Sequence, residues 1–378
     1  MRPLRILCLN YEYPPVGGGG GRVAHRINAG LAARGHEVRV HTAGLKHLPP
    51  RETVDGVEIF RTPSFRKKED TCTVPEMALY IATNVLPTLG HIRRWQPDVI
   101  HAHFAVPTGV VAYKASLLTG TPYVLTAHLG DVPGGVPEQT AGLFRFVEPF
   151  TRPIWKRASA ITAVSTFVAD LAETAYHRRP EVVLNGIPRG PRPEIRLQSP
   201  PRILMVGRLS VQKNPVLAIH SLALVKHLPW QFTVIGDGPL RAEMEAEARR
   251  LDIGSQVKFR GWLDGDRVRN EMANADALLL TSTSEGLPMA AIEALDRGLA
   301  IVSSRIGGVN DVVEDGVNGA TCDLTPEGFA AALQKVLGDP DRLRSMREAS
   351  SRMAEKFDLP RILDAYERIL RAAASGAA

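Results

Sequence analysis

Cysteine is scarce in this chain of 378 residues, and its three cysteines lie far apart, at Cys8, Cys72 and Cys322. An odd number of scattered cysteines predicts neither a disulfide framework nor a zinc site, and it favours a reducing compartment. Aromatic residues make up only 6 % of the chain, so few side chains are available to stack on nucleic-acid bases. Apolar runs that approach the ~20 residues needed to span a bilayer are also missing. The composition therefore predicts a protein without disulfides, membrane-spanning helices or a nucleic-acid partner.

A large excess of charge of either sign is absent as well. The net charge is +6, from 46 basic and 40 acidic residues, and the basic residues are dispersed, which argues against nucleic-acid binding. Residues 1–5 lead directly into an apolar run without the apolar core of a signal peptide, so we expect a cytoplasmic protein. One basic cluster, interpreted first as a solvated loop, leaves open a weak peripheral contact with the anionic inner face of a membrane: Arg61, Arg66, Lys67 and Lys68.

Short apolar runs alternate with helical patterns along the whole chain. Strands are predicted at 5–9, 37–42, 57–61, 98–103, 123–127, 160–164, 182–184, 202–206, 232–235, 257–259, 277–280, 300–303 and 320–322. This alternation predicts parallel sheets with right-handed crossovers, and the length is too great for one core. Five prolines between 188 and 201 predict a stiff linker. The fold class is therefore α/β, with a Rossmann-like domain over 1–187 and a second over 202–355.

A strand, a run of five glycines (Gly17 to Gly21) and a helical segment open the chain and suggest dinucleotide binding. The G-x-G-x-x-G pattern, started at Gly17, requires glycine where Arg22 stands, and the acid expected after the second strand is replaced by His41 and Thr42. A nicotinamide cofactor is therefore not indicated. The glycines still allow a backbone to approach a ligand closely, although a solvent loop is the alternative.

The segment from Ala277 to Leu295 reads as a buried strand, a polar loop and a helix that begins near Pro288. The carboxyl ends of parallel strands are where open sheets hold ligands, and a helix start attracts anions. Two acids flank this start, Glu285 in the loop and Glu293 in the helix. An acid beside an anion site would repel the anion unless it binds something else, and the hydroxyls of a sugar or a ribose fit that requirement. The alternative is that Glu285 and Glu293 are two solvated acids without a ligand.

Two cations, Arg208 and Lys213, follow the strand 202–206 within one short loop. Together they suit a diphosphate, with arginine as a fork and lysine as a point charge; ordinary surface charge is the alternative. His101 and His103 have no matching acid or cysteine set, and Asp264-Gly265-Asp266 reads as a helix cap rather than a metal motif. No metal site is therefore predicted.

Taken together, these segments resemble the retaining GT-B glycosyltransferases of family 4, over essentially the whole chain. The most specific parts are Gly207-Arg208-Leu209 with Lys213, and Ser284-Glu285-Gly286-Leu287-Pro288 with Glu293, which matches the family's E-x7-E pattern. The resemblance implies two Rossmann-like domains facing each other across a cleft, with a C-terminal helix within 356–378 that crosses back to the N-terminal domain. The Gly307-Gly308-Val309-Asn310 loop departs from the family, which often has Pro-Glu after the valine-like position.

The resemblance also implies roles for particular residues. Arg208 and Lys213 would hold the donor diphosphate, Glu293 the ribose and Glu285 the donor sugar, with His128 near the anomeric carbon. The donor would also be contacted by the backbone of Gly286, Leu287, Pro288 and Met289, and by the glycine pair Gly18 and Gly19. The family needs no metal and no cofactor beyond its nucleotide-sugar substrate.

The expected activity is therefore transfer of a hexosyl group, with retention, from a nucleotide-diphosphate sugar to an acceptor hydroxyl. The acceptor stays open: a sugar, a lipid-linked sugar or a small molecule. No pair of acids is placed for glycoside hydrolysis. A nucleotide-sugar epimerase of the same architecture is the main alternative, and a two-lobed binding protein is a second one.

Overall fold

The computed structural model describes residues 2–69, 72–136 and 148–376, and strands alternate with helices along them. The chain forms two compact units, one made of Met1–Pro188 with Leu359–Ala378 and the other of Arg189–Asp358. Each unit has its own largely parallel sheet covered by helices, so its strands are buried and read as continuous apolar runs. The predicted α/β fold class is confirmed.

The sheet of the first unit has eight strands within the described residues, in the order β3-β4-β2-β1-β5-β6-β7-β8, and only β3 and β4 pair antiparallel. The strands are β1 (Arg5–Leu9), β2 (Glu37–Gly44), β3 (Arg51–Val54), β4 (Val57–Pro63), β5 (Val99–His103), β6 (Tyr123–Ala127), β7 (Ala160–Ala163) and β8 (Glu181–Val182). The helices are α1 (Gly19–Ala33), α2 (Val74–Trp95), α3 (Val110–Thr119), α4 (148–157 in the described part), α5 (Thr166–Tyr176) and α12 (Leu359–Ala374).

The sheet of the second unit has six parallel strands among the described residues, in the order β11-β10-β9-β12-β13-β14. The strands are β9 (Arg202–Val206), β10 (Gln231–Ile235), β11 (Val257–Gly261), β12 (Ala277–Leu280), β13 (Ala300–Ser304) and β14 (Gly319–Cys322). The helices are α6 (Pro215–Leu224), α7 (Arg241–Arg250), α8 (Gly265–Ala273), α9 (Met289–Asp296), α10 (Pro326–Leu337) and α11 (Pro340–Met353). Because β9 and β12 are neighbours, the loops that follow them lie side by side.

Two local predictions differ from the structure, and a third lies partly outside the described residues. The helical pattern of residues 76–95 predicts an interruption at Pro87, but the helix continues through it, because a capping box between Thr73 and Glu76 fixes its start and its buried face extends past the proline. Strand β3 is absent from the prediction because its side chains are mostly exposed and lack an apolar pattern. The first six positions of the predicted helix 142–157 lie outside the described residues.

The longest helix of the described residues, α2, has 22 residues. Within the part of the chain that the structure describes, no helix combines the length and the apolar character required to cross a membrane.

Candidate active site

The loop after β9 carries the two predicted phosphate-binding cations. It leaves the strand at Gly207, whose φ of +143° favours glycine, and passes through Arg208 into a short 3-10 turn that ends at Lys213. The loop after β10 packs directly against it, since a Cβ built on Gly236 would lie 1.9 Å from the carbonyl oxygen of Gly207. This close backbone contact requires glycine at position 236 and packs the loop after β10 against the loop that carries the two cations.

The loop after β12 is bound to the cation loop by several hydrogen bonds. The hydroxyl of Thr281 donates to the carbonyl oxygens of Lys213 and Asn214, both at 2.9 Å. The amide of Thr283 donates to the carbonyl oxygen of Gln212 at 2.8 Å, and the side-chain amide of Gln212 donates back to the carbonyl oxygen of Ser284 at 3.0 Å. Lys213 is therefore held at a fixed position relative to the loop that carries Glu285.

Glu285 lies at the centre of this arrangement. Its carboxylate pairs with the ammonium of Lys213 and accepts a hydrogen bond of 2.6 Å from the hydroxyl of Ser282. The Glu285 side chain is 9 % exposed and that of Lys213 is 29 % exposed. Arg208, Lys213 and Ser282 line the same small cavity at the carboxyl ends of β9 and β12. The structure thus brings Arg208, Lys213 and Glu285 into one site.

The start of α9, at residues 286–289, comes directly after Glu285 in the chain, and the second acid, Glu293, lies within this helix. Residues 286–288 are buried, and α9 begins at Met289 with Pro288 as its N-cap, so no side chain caps the first amides. A Cβ built on Gly308 would lie 2.0 Å from the carbonyl oxygen of Glu285, so Gly308 allows the neighbouring loop to pack on the acid loop. Glu293 is half-buried within α9. These residues all belong to the second unit.

The glycine loop belongs to the first unit, and its glycines differ in their surroundings. Helix α1 begins at Gly19, with Gly18 as N-cap. A Cβ built on Gly20 would lie 2.4 Å from the ring of Phe104, whereas a Cβ on Gly18 would meet no atom within 4 Å. The amide of Gly18 donates to the carboxylate of Glu12 at 3.1 Å. A carboxylate of the chain itself therefore lies at the start of α1, beside the predicted glycine pair.

The basic cluster interpreted as a solvated loop is in fact half buried. Arg61 and Arg66 are 6 % and 5 % exposed, because their guanidinium groups donate to backbone carbonyls and pair with acids. Arg61 donates to the carbonyl oxygen of Pro14 at 3.0 Å, and Arg66 to that of Glu69 at 3.1 Å. Only Lys67 and Lys68 of the four are exposed. The prediction of one solvated four-residue cluster is therefore wrong.

His128 lies at the end of β6, in a buried network of the first unit. Its Nε2 is 3.0 Å from Nδ1 of His103, and its ring stacks on Phe104 with centroids 4.3 Å apart. Desolvation lowers the pKa of His128 to about 3, so the imidazole is neutral at physiological pH. Asp131 accepts the backbone amides of His128 and Leu129 at 3.0 and 3.1 Å and thereby fixes the loop. Burial raises the pKa of Asp131.

Among the described residues, no group of three or more His, Cys, Asp or Glu side chains is arranged to hold a metal ion. Asp264 accepts the amide of Arg267 at 2.8 Å and caps α8, as predicted. Asp266 forms an ion pair with Arg269.

The predicted site residues therefore fall into two groups. Arg208, Lys213, Glu285, Glu293 and the 286–289 backbone lie in the second unit, and Gly18, Gly19 and His128 lie in the first. Sequence reasoning missed several residues that hold these groups in place: Glu12, His103, Asp131, Gln212, Thr281 and Ser282. Asp131 follows His128 by three residues, but nothing in the sequence pattern indicates that its carboxylate holds backbone amides.

Two family models match the chain and together cover most of it. The model described as "Glycosyl transferases group 1" matches residues 192–353, and the one described as "Glycosyl transferase 4-like domain" matches residues 18–187. A glycogen synthase of Mycobacterium tuberculosis is 30 % identical over 99 % of this chain and 96 % of its own. A 2-deoxystreptamine glucosyltransferase of Streptomyces kanamyceticus is 27 % identical over 91 % of this chain and 97 % of its own.

Solved structures agree on the fold. A sucrose-phosphate synthase from Thermosynechococcus elongatus superposes with a TM-score of 0.83 at 18 % identity, covering 97 % of this chain and 98 % of its own. HepE from Anabaena, solved in complex with UDP and glucose, superposes with a TM-score of 0.74 at 20 % identity, covering 98 % and 100 %. Relatives that transfer sugars do not favour the epimerase alternative. The chain belongs to the group 1 glycosyltransferases of family 4, and it is a glycosyltransferase with the GT-B fold.

Proposed function

We propose that this glycosyltransferase moves a hexosyl group from a nucleotide-diphosphate sugar to an acceptor hydroxyl, with retention of the anomeric configuration and without a metal ion. The observation that carries the proposal is the site at the ends of β9 and β12, where Arg208 and Lys213 line one small cavity and Lys213 pairs with the buried carboxylate of Glu285. Two cations suit a diphosphate, and a carboxylate that accepts hydrogen bonds suits sugar hydroxyls. The complex of HepE with UDP and glucose supports the same class of donor.

In the transfer step, the bond between the sugar C1 and the diphosphate oxygen breaks, and negative charge develops on the leaving group. Arg208, Lys213 and the uncapped amides at the start of α9 stabilise this charge. The acceptor oxygen bonds to C1 on the same face, and its proton passes to the departing phosphate. Glu285 binds hydroxyls of the donor sugar, and Glu293 binds the ribose.

Two groups of the first unit, His128 and Gly18, are also assigned to the donor. His128 is neutral, and its backbone is fixed by Asp131, so it offers a rigid contact near the anomeric carbon. The open space at Gly18 allows phosphate oxygens to approach the backbone. The acceptor is a sugar, a lipid-linked sugar or a small molecule.

Metal independence follows from the charges that the chain itself provides. Arg208 and Lys213 carry the positive charge that a divalent ion supplies in metal-dependent transferases. Turnover should therefore survive excess EDTA. Loss of activity that Mg²⁺ or Mn²⁺ restores would overturn this part of the proposal and direct attention to Asp264 and Asp266.

The experiment begins with a panel of UDP-, GDP- and ADP-sugars, in which a ligand that binds the folded state raises the melting temperature. The stabilising donor is then incubated with candidate acceptors, and the product's anomeric configuration is read by NMR. We expect an α-linked product from an α-linked donor. Arg208→Ala and Lys213→Ala should each lower kcat by ~100-fold or more, whereas the exposed cation variant Lys226→Ala serves as the control. Inversion, or full activity in both site variants, would refute the proposal.

A further inference from the structure

Three contacts hold His128, each in a different way. Asp131 accepts its backbone amide at 3.0 Å and fixes the main chain. The ring of Phe104 stacks on its imidazole at an interplanar angle of 29°, which fixes the plane of the ring. Nδ1 of His103 lies 3.0 Å from its Nε2, which fixes the rotation of the ring within that plane. The contact with His103 also decides which ring nitrogen of His128 carries the proton.

The fold holds His103 at a fixed position. It is the last residue of β5, lies opposite Thr126 of β6 and is fully buried. The chain turns directly after it, at Phe104, whose φ of +69° is one that aromatic residues rarely adopt. The amide of Phe104 donates to the carbonyl oxygen of Thr126 at 3.0 Å, and the amide of Ala105 donates to the carboxylate of Asp131 at 2.8 Å. These bonds tie the loop after β5 to the loop after β6 and maintain the strained turn.

The bond between the two imidazoles has a direction. Burial lowers the pKa of His103 well below its usual range and that of His128 to about 3, so both rings are neutral at physiological pH. A neutral imidazole has one N–H donor and one acceptor nitrogen. In the bond at 3.0 Å, therefore, one histidine donates and the other accepts.

The other nitrogen of His103 distinguishes the two directions. Its Nε2 is buried and has no hydrogen-bond partner among the described residues. If His128 donated, the proton of His103 would lie on this nitrogen as a buried, unpaired N–H. If His103 donates from Nδ1, its Nε2 is only an unpaired acceptor. Buried N–H groups without a partner are rarer than buried acceptors without one, which favours donation by His103.

We propose that His103 is a positioning residue of this glycosyltransferase: it donates from Nδ1 to Nε2 of His128 and holds His128 in the tautomer that is protonated at Nδ1. Because Nε2 of His128 is engaged in this bond, Nδ1 is the ring nitrogen left for a ligand. His128 then acts as a hydrogen-bond donor toward an oxygen of the donor sugar, and a donor fixed in advance needs no reorientation during the reaction. This role rests on the proposed function, which assigns His128 to the donor sugar.

Nitrogen NMR of the full chain, labelled with ¹⁵N-histidine, measures the tautomer directly. The chain has 11 histidines, and the signals that disappear in His128→Gln are those of His128. We expect a protonated Nδ1 and an unprotonated Nε2 for His128 in the wild type; a proton on Nε2 would overturn the proposal. His103→Leu removes the bond and should change the proportions of the two tautomers. His103→Asn, whose side-chain amide can donate in place of Nδ1, should restore the wild-type tautomer.

Steady-state rates with the donor that stabilises the protein connect the tautomer to turnover. His103→Leu should lower kcat by about tenfold, with the KM for the donor changed by less than about threefold, and His103→Asn should recover most of the loss. The matched control is His41→Gln, which replaces another buried histidine of the first unit, 4 % exposed. It should lower the melting temperature but leave kcat and the tautomer of His128 unchanged. An equal loss of kcat in the control would refute the positioning role.

Two further outcomes separate this role from the proposed function. Loss of kcat in His128→Gln without loss in His103→Leu would refute the positioning role alone. Normal kcat in His128→Gln would refute the assignment of His128 to the sugar as well. Melting temperatures identify a variant that fails to fold, and the tautomer of the wild type, measured without a donor, decides the direction of the bond even if His103→Leu does fail.

Discussion

The ion pair between Lys213 and Glu285 gives each residue two roles that a single substitution cannot separate. In the structure the two side chains neutralise each other, while the proposed mechanism assigns Lys213 to the diphosphate and Glu285 to the sugar. Lys213→Met removes a phosphate-binding cation and also leaves a largely buried carboxylate without its partner. A double-mutant cycle with Glu285→Gln separates the structural role from the catalytic one.

The size of the coupling free energy between Lys213 and Glu285 depends on how deeply the two side chains are buried. Removing one member of a fully buried pair costs about 3–5 kcal/mol, and an exposed pair contributes about 0.2–1 kcal/mol. Side-chain exposures of 29 % for Lys213 and 9 % for Glu285 place this pair between the limits. We therefore expect a coupling of about 1–3 kcal/mol in the free energy of unfolding. Ser282 and the half-exposed lysine limit the loss, because both allow some compensation.

Urea unfolding of the wild type, both single variants and the double variant measures this coupling. The same four proteins give kcat and the affinity for the nucleoside diphosphate. Lys213→Met should weaken diphosphate binding, and the double variant should recover stability relative to Lys213→Met without recovering turnover. If the double variant recovers full turnover, the two side chains are needed only to neutralise each other, and the assignments of Lys213 to the diphosphate and of Glu285 to the sugar are both refuted. Additive stability effects would mean that the ion pair has no energetic role.

Three further predictions concern the acids, the histidines and the core of the second unit. Glu293→Ala should weaken binding of the free nucleoside diphosphate, measured by calorimetry, while Glu285→Ala lowers kcat; the opposite result reverses the two roles. Burial lowers the pKa of both His101 and His128 to about 3, so stability is complete above pH 6.5 and falls below it, by up to about 1.4 kcal/mol per pH unit and histidine. Urea titrations from pH 7 to 5 should show a smaller slope for His101→Gln. Arg347→Met should destabilise the protein by about 3–5 kcal/mol in urea, since its partner Asp276 is fully buried and 2.5 Å away; a loss below 1 kcal/mol, roughly that of an exposed pair, would contradict this.

The elements with continuous apolar character were predictable from the sequence. Strand β12 was predicted at its observed bounds, because Ala277–Leu280 is wholly buried and apolar residues are therefore required at every position. Strand β3 was missed, although the Asp55-Gly56 pair after it, with φ of 50° and 76°, is a recognised hairpin signal. The helical periodicity of the sequence begins at Val23, whereas helix α1 begins four residues earlier, at Gly19. Glycine is a poor helix former, but packing of Gly20 and Gly21 against Phe104 and Glu12 favours the helix there.

The candidate site was predictable as a set of loop positions but not as a set of contacts. Parallel strands end at the same edge of a sheet, so Arg208, Lys213 and Glu285 could be assigned to one region from the pattern alone. Gln212 and Thr281 could not, because their bonds depend on β9 and β12 being neighbours in the sheet, although Gln212 and its partner Ser284 are 72 residues apart along the chain. The burial of Arg61 and Arg66 was equally unpredictable, since it depends on the path of the loop after β1, where the carbonyl oxygens of Pro14 and Tyr11 accept from them.

In each unit, a carboxylate of the chain binds a group that the proposed mechanism assigns to the donor. Glu285 pairs with Lys213 in the second unit, and Glu12 accepts the amide of Gly18 in the first. A charge that is buried without a partner is costly, so the largely buried carboxylate of Glu285 needs the ammonium of Lys213. A diphosphate that binds to Lys213 would replace the carboxylate of Glu285 by another anion. Because the number of satisfied donors stays the same in that exchange, donor binding need not overcome the full cost of breaking these contacts.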